Sequence, residues 1–324
     1  MELPTLSQIE DAQAIVYRSM PPTPQYSWPL INQRVGAEVW IKHENHTPVG
    51  AFKLRGALVY MDWVRRSLPG VSGVIAATRG NHGQGVAMAA RLNGLRAVIV
   101  VPHGNSLEKN RAMVAQGAEL IEYGDDFQAS LEYAQLLATE RGLAMVDSFH
   151  ERLVMGTATY ALEFLRSSPP LDTVYVPIGL GSSICGMAAT RNCLGLHTKI
   201  VGVVASQSPS YARSFSKHRV VEAPSLTQIA DGLACRKPNA SAMEIIWQNV
   251  DHILEVTEGQ ICAAMRACYS DTHNIAEGAA AAALAGALNE RSLHHGRLIG
   301  VVLTGSNVDA PVLGKILAEE CVCP

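Results

Sequence analysis

From residue 73 onward the chain alternates short apolar runs with segments of helical period. GVIAAT (73–78), LRAVIVV (95–101), AELIEY (118–123) and LAMVDSF (143–149) read as buried strands. Between them GNHGQGVAMAARLNG (80–94), SLEKNRAMVAQG (106–117) and DDFQASLEYAQLLATERG (125–142) read as helices. A second series begins near residue 172. It runs through the strand DTVYVPIG, the helix SICGMAATRNCLG, the strands KIVGVVAS and HILEVT, two helices between 258 and 290, and the strand RLIGVVLTG (297–305). Strand and helix in turn mean βαβ units and therefore parallel sheets. No Pro/Gly/Ser linker separates the two series and no internal repeat is present, which predicts an α/β chain of two closely joined lobes.

Open parallel sheets bind ligands where the carboxyl ends of strands run into helices. Four segments fall at or near such points: AFKLRG (51–56), TRGNHGQG (78–85), GLGSSICG (179–186) and TGSN (304–307). In the first, Lys53 lies among Ala51, Phe52 and Leu54, in a stretch that reads neither as a clean helix nor as a clean strand. An apolar setting disfavours the ammonium and leaves an amine nucleophile; a lysine snorkelling from a helix start is the competing reading. GLGSSICG follows a strand and opens a helix, so its N–H groups can converge on a phosphate. It is neither a Walker A motif nor GxGxxG, and a turn for tight strand-helix packing would look the same. In TRGNHGQG, Asn81 offers a side-chain amide for a ring hydroxyl, and the adjoining N–H groups suit a carboxylate. His82 reads as structural. Thr304 presents a hydroxyl at a strand end. Amine, phosphate cradle, carboxylate loop and neutral hydroxyl are together the parts a pyridoxal phosphate enzyme needs.

Composition narrows the function by exclusion. The 324 residues carry 26 lysines and arginines against 29 acids, so no global field recruits nucleic acid or an anionic membrane. The most apolar helix candidate, AEGAAAAALAGAL, is too alanine-rich and falls short of the ~20 residues that cross a bilayer. The first residues show no basic start followed by an apolar run, and a cytoplasmic protein is expected. Seven cysteines form no CxxC pair or regular framework, which favours reduced thiols. His43 and His46 lack a third ligand, and Cys321-Val-Cys323 reads either as a soft-metal pair or as a frayed end.

Taken in order, several motifs resemble the fold-type II pyridoxal phosphate enzymes, in particular the serine/threonine dehydratase and serine racemase group. Pro22-Thr23-Pro24 resembles an early Thr-Pro turn, and Lys42-x-Glu44-Asn45 through Gly50-Ala51-Phe52-Lys53-Leu54-Arg55-Gly56 resembles the lysine motif. Gly80-Asn81-His82-Gly83 is similar to the Asn-His loop, Ile229 to Ala234 to the Ala-Asp-Gly segment, and Glu277-Gly278-Ala279-Ala280 to a Glu-Pro-x-Gly-Ala helix start.

The resemblance implies two open, twisted parallel-sheet domains of the tryptophan synthase beta-like class: a large cofactor domain from 1–72 and 150–324, and a small mobile domain at 73–149. It implies Lys53 as the residue that binds pyridoxal 5'-phosphate covalently and then moves the substrate Cα proton. It places Phe52 beside the cofactor, Asn81 on its 3′ oxygen, Gly179, Leu180, Gly181, Ser182 and Ser183 around its phosphate, and Thr304 at its pyridine nitrogen. Thr78, Arg79, Gly80, Asn81 and His82 would hold the substrate. The implied reaction removes water from a 3-hydroxy amino acid, threonine- or serine-like, to give a 2-oxo acid and ammonia, in a homodimer. Rival readings are a racemase of the same fold, a sulfhydrylase, and a catalytically silent ligand sensor.

The chain also departs from the pattern. Ala51 stands for a serine, Leu180 and Ser182 for glycines, and Thr78-Arg79 for a Ser-Ser pair. Val204-Ala205 replaces a Glu-Pro, with Ser208 and Ser210 where further divalent-metal ligands would fall. No metal site is therefore expected.

Overall fold

The computed structural model describes residues 1–320, so the Cys321-Val-Cys323 tail lies outside the described residues. Ten strands occur there: β1 (Gln25–Ser27), β2 (Glu38–His43), β3 (Gly73–Ala77), β4 (Arg96–Val101), β5 (Glu119–Glu122), β6 (Ala144–Met145), β7 (Thr173–Pro177), β8 (Lys199–Ala205), β9 (His252–Val256) and β10 (Leu298–Leu303). They build two sheets, β1-β2-β10-β7-β8-β9 and β5-β4-β3-β6. Every pairing is parallel except β1 with β2. Helices cover both faces, so β3 and β7 are buried along their whole length, and their uninterrupted apolar sequence follows from that.

Local chemistry sets where the helices start and stop. Asp126 accepts the Ala129 N–H at the start of Phe127–Arg141, and Gly142, at φ 62°, ends it. Thr257 and Gln260 close a capping box on Glu258–Thr272. Every strand and helix read from the two series is present, with ends within two or three residues of those expected, except that the run LAMVDSF (143–149) gives only the two-residue strand β6. The periodic pattern did not reveal β1, β2 or the helices Leu6–Val16, Pro29–Val35, Lys53–Ser67, Glu151–Ser167, Ser210–Lys217, Ala240–Asn249 and Ala310–Leu317.

The ambiguous stretch around Lys53 changes structure twice. Strand β2 ends at His43, one 3-10 turn covers Glu44–His46, and the helix Lys53–Ser67 begins at the lysine itself. This helix crosses Glu151–Ser167 at a pair of glycines. A Cβ on Gly156 would lie 2.4 Å from the Arg55 carbonyl oxygen, and one on Gly56 would lie 2.9 Å from that of Leu153. Beneath the crossing is a buried ionic cluster. Arg55 Nε donates to Glu44 Oε2 at 2.7 Å and its NH1 to Glu163 Oε1 at 2.6 Å, while Lys42 Nζ donates to Glu163 Oε2 at 2.6 Å. Thr23 hydrogen-bonds both acids, and two cations against two carboxylates leave the cluster neutral. Among the described residues no helix is long and apolar enough to cross a membrane.

Candidate active site

Loops run from the carboxyl ends of β2, β3, β7 and β10, and those after β2 and β10 are joined mainly through backbone. The Phe52 N–H donates to the Thr304 carbonyl at 3.0 Å, Ala51 bridges to Gly305, and the Ser306 N–H donates to Gly50 at 2.9 Å. The lysine loop and the TGSN turn are thus one piece of structure, although about 250 residues separate them. Gly85, in the helix Asn81–Leu92, packs closely on Lys53: an added Cβ would be 3.2 Å from the Lys53 carbonyl.

Lys53 Nζ lies 5.0 Å from the centre of the Phe52 ring. Burial pushes its ammonium down to about 8, against the pull of the Glu277 carboxylate. The first position of a helix is also the positive end of its dipole, a poor place for a cation. Both effects leave more free amine near neutrality than an ordinary lysine has.

The glycine-rich loop has the build of an anion cradle. Gly181 takes φ 98° and begins the helix Ser182–Cys193 without any side-chain cap, so the first-turn N–H groups are left for a ligand. The loop is held from behind: Tyr211 donates to the Leu180 carbonyl at 3.0 Å, Thr157 to the Ser182 carbonyl at 2.9 Å, and Tyr160 pairs with Ser183 Oγ at 2.6 Å. A Cβ on Gly179 would come within 2.4 Å of the Gly232 carbonyl, so the Ala-Asp-Gly segment packs directly on the cradle.

In the third loop the Thr78 hydroxyl accepts the Gly80 N–H at 3.2 Å. His82 is buried, its ring is held neutral with the proton lost down to about 3, first by burial and then by the Lys53 charge, and its Nε2 has no partner. Arg79 is exposed and makes no hydrogen bond or ion pair among the described residues. Thr304 is buried at the end of β10.

Four residues that the sequence did not single out complete the site. Glu277 accepts from Asn81 at 2.7 Å, its second oxygen is buried without a partner, and burial pushes its carboxyl up to about 7. Asn307 donates to Asn81 at 2.8 Å, and Lys109 pairs with Asp231 at 2.6 Å. The quoted segments contained Glu277, Asp231 and Asn307, but only as markers of a helix start or a turn. Lys109 sits in an ordinary helical period with no local signal.

The segment after β8 is engaged internally. Ser208 and Ser210 both donate to the Cys235 carbonyl, at 3.3 and 2.6 Å, and Val204 is buried. Among the described residues no three His, Cys, Asp or Glu side chains gather as a metal site. His43 instead accepts the Trp28 indole N–H at 3.0 Å.

An amine of lowered basicity and an uncapped glycine loop, both following strands of the same open sheet, define an enzyme that works through a phosphorylated carbonyl cofactor. The chain belongs to the family of pyridoxal-phosphate dependent enzymes, whose model matches residues 16–305. It is 34% identical to the L-threonine ammonia-lyase of Geobacter sulfurreducens over 90% of this chain and 72% of that one. It is 31% identical to the L-threo-3-hydroxyaspartate ammonia-lyase of Saccharomyces cerevisiae, over 95% of each. Maize serine racemase superposes with a TM-score of 0.91 over 98% of both chains at 27% identity. Pyridoxal phosphate is accordingly the cofactor, and an amine of lowered basicity together with a glycine loop whose first-turn N–H groups carry no side-chain cap fits the chemistry of its carbonyl and its phosphate.

Proposed function

We propose that the protein is an ammonia-lyase that removes water from a 3-hydroxy amino acid and releases a 2-oxo acid and ammonia. The supporting observation is the pairing of Lys53, its amine lowered to about 8, with a neutral hydroxyl, Thr304, joined to the same loop through the Phe52 N–H. Bound pyridoxal phosphate supplies the electron sink for loss of the Cα proton. A threonine cannot hold the ring nitrogen protonated as an aspartate would, which favours prompt loss of a β-hydroxyl over amino-group transfer. In this reading Lys53 Nζ takes the Cα proton, the 78–82 loop N–H groups bind the substrate carboxylate, and residues 73–149 form the smaller domain that closes over it. The two separate sheets support that division, and the relatives' names support the reaction. We place the enzyme in the cytoplasm as a homodimer.

The test is a panel assay of 2-oxo acid release from threonine, serine, phenylserine and 3-hydroxyaspartate, with chiral chromatography of the remaining substrate. At least one member should give 2-oxo acid well ahead of its opposite enantiomer. D-isomer accumulating at a comparable rate would establish the racemase reading instead.

A further inference from the structure

Asn307, Asn81 and Glu277 form a chain of hydrogen bonds whose direction is dictated by a backbone group. The Val49 carbonyl can only accept, so the Asn307 atom 2.8 Å from it is Nδ2. The second hydrogen of that amide goes to Asn81 at 2.8 Å, so the atom Asn81 turns toward it is Oδ1. Asn81 must then direct Nδ2 the other way, where Glu277 Oε1 accepts at 2.7 Å. An asparagine amide has nearly the same shape in either orientation, and its hydrogen-bond partners decide between them. Here the decision passes from Val49 through Asn307. Glu277 is itself fixed, since its N–H donates to the Gly305 carbonyl at 3.1 Å and a Cβ on Gly305 would come within 2.7 Å of Oε1. One of the two Asn81 Nδ2 hydrogens is consumed by Glu277 and one is left.

We propose that Asn307 and Glu277 are positioning residues for the cofactor ring, locking Asn81 so that it offers the 3′ oxygen of pyridoxal phosphate an N–H donor and never its own oxygen. An ionised 3′ oxygen accepts a hydrogen bond; a carbonyl oxygen turned toward it would repel it. The inference rests on the cofactor and on Asn81 lying beside its ring, and it is independent of which amino acid is turned over.

The cofactor-free protein is titrated with pyridoxal phosphate at one pH, reading Kd and the absorption maximum for wild type, N307D, E277L and E277Q. The aspartate of N307D cannot donate both to Val49 and to Asn81, and the leucine of E277L leaves the Asn81 Nδ2 without its acceptor. The glutamine of E277Q still carries an Oε1 in the same place. N307D and E277L should bind at least tenfold more weakly with a shifted band, whereas E277Q should stay within about threefold of wild type with an unshifted band. Melting of each cofactor-free variant checks that it folds; where N307D does not, the E277L and E277Q pair decides. A wild-type Kd and band in E277L, or a loss in E277Q equal to that in E277L, would overturn the proposal. Absence of 2-oxo acid from every substrate would defeat the ammonia-lyase reading and leave these binding results untouched.

Discussion

Lys53 is set apart from other lysines by where the chain puts it. It starts a helix, has largely apolar neighbours, and holds its proton only up to about 8. Borohydride reduction of the holoenzyme followed by peptide mapping should place the pyridoxyl group on Lys53, and a label on any other lysine would refute the assignment. Arg79 is the opposite case, exposed and without a partner in a loop where Thr78 and Asn81 are both engaged. Its guanidinium is free to fork onto a carboxylate, and a guanidinium, which does not give up its proton in proteins, cannot serve as the base a racemase needs. Arg79→Ser should therefore lower kcat/KM at least tenfold for the best substrate without giving rise to racemisation. An unchanged kcat/KM across the panel would make Arg79 a surface residue only.

At the scale of elements, the helix Lys53–Ser67 depends on the ionic cluster beneath it. Arg55 is fully buried and Glu163 nearly so, and Glu163 answers both Arg55 and Lys42. Glu163→Gln removes one negative charge and leaves a cation uncompensated, a change that costs about 3–5 kcal/mol at buried sites. The denaturant midpoint should fall accordingly, with weaker cofactor retention because the same helix carries Lys53; a midpoint within error of wild type would contradict this. The cluster also explains what the sequence could and could not disclose. The βαβ elements were legible because strands covered on both faces are written as unbroken apolar runs. Lys53–Ser67 and Glu151–Ser167 were not, because Arg55 and Glu163 interrupt their apolar faces with charges whose partners lie far away in sequence. Lys42, Glu44 and Thr23 were conspicuous as motif letters, but the motif could not say that they serve this cluster rather than the cofactor. In the site, residues in glycine-rich loops were legible. Asn307 and Lys109 act across separations of 226 and 122 residues, and only the fold joins them to Asn81 and Asp231.

Across the whole molecule, buried titratable groups set the response to pH. Burial holds His43 at about 4 and His82 at about 3, against 6.5 in an unfolded chain. Acidification below 6.5 therefore loads protons on the unfolded state first, and stability falls. Glu277 works the other way: held at about 7 against an ordinary 4.5, it keeps a proton in the fold that the unfolded chain has lost, and that contribution disappears as pH rises through 7. Between 4.5 and 6.5 the buried histidines thus raise stability with pH while Glu277 lowers it. Glu277→Gln removes the opposing group, so melting temperature of the cofactor-free variant should climb more steeply over this range than that of wild type. Parallel curves would show that Glu277 is ionised in the fold throughout. The glycines where the loops meet have a further consequence, for how the enzyme can change. A single methyl group on Gly179, Gly181 or Gly278 would run into Gly232, Ala242 or Ile229, at 2.4, 2.8 and 2.2 Å. These positions are closed to gradual mutation. A lineage drifting toward a new substrate would have to do so through side chains with free space around them, and in the 78–82 loop that leaves Arg79.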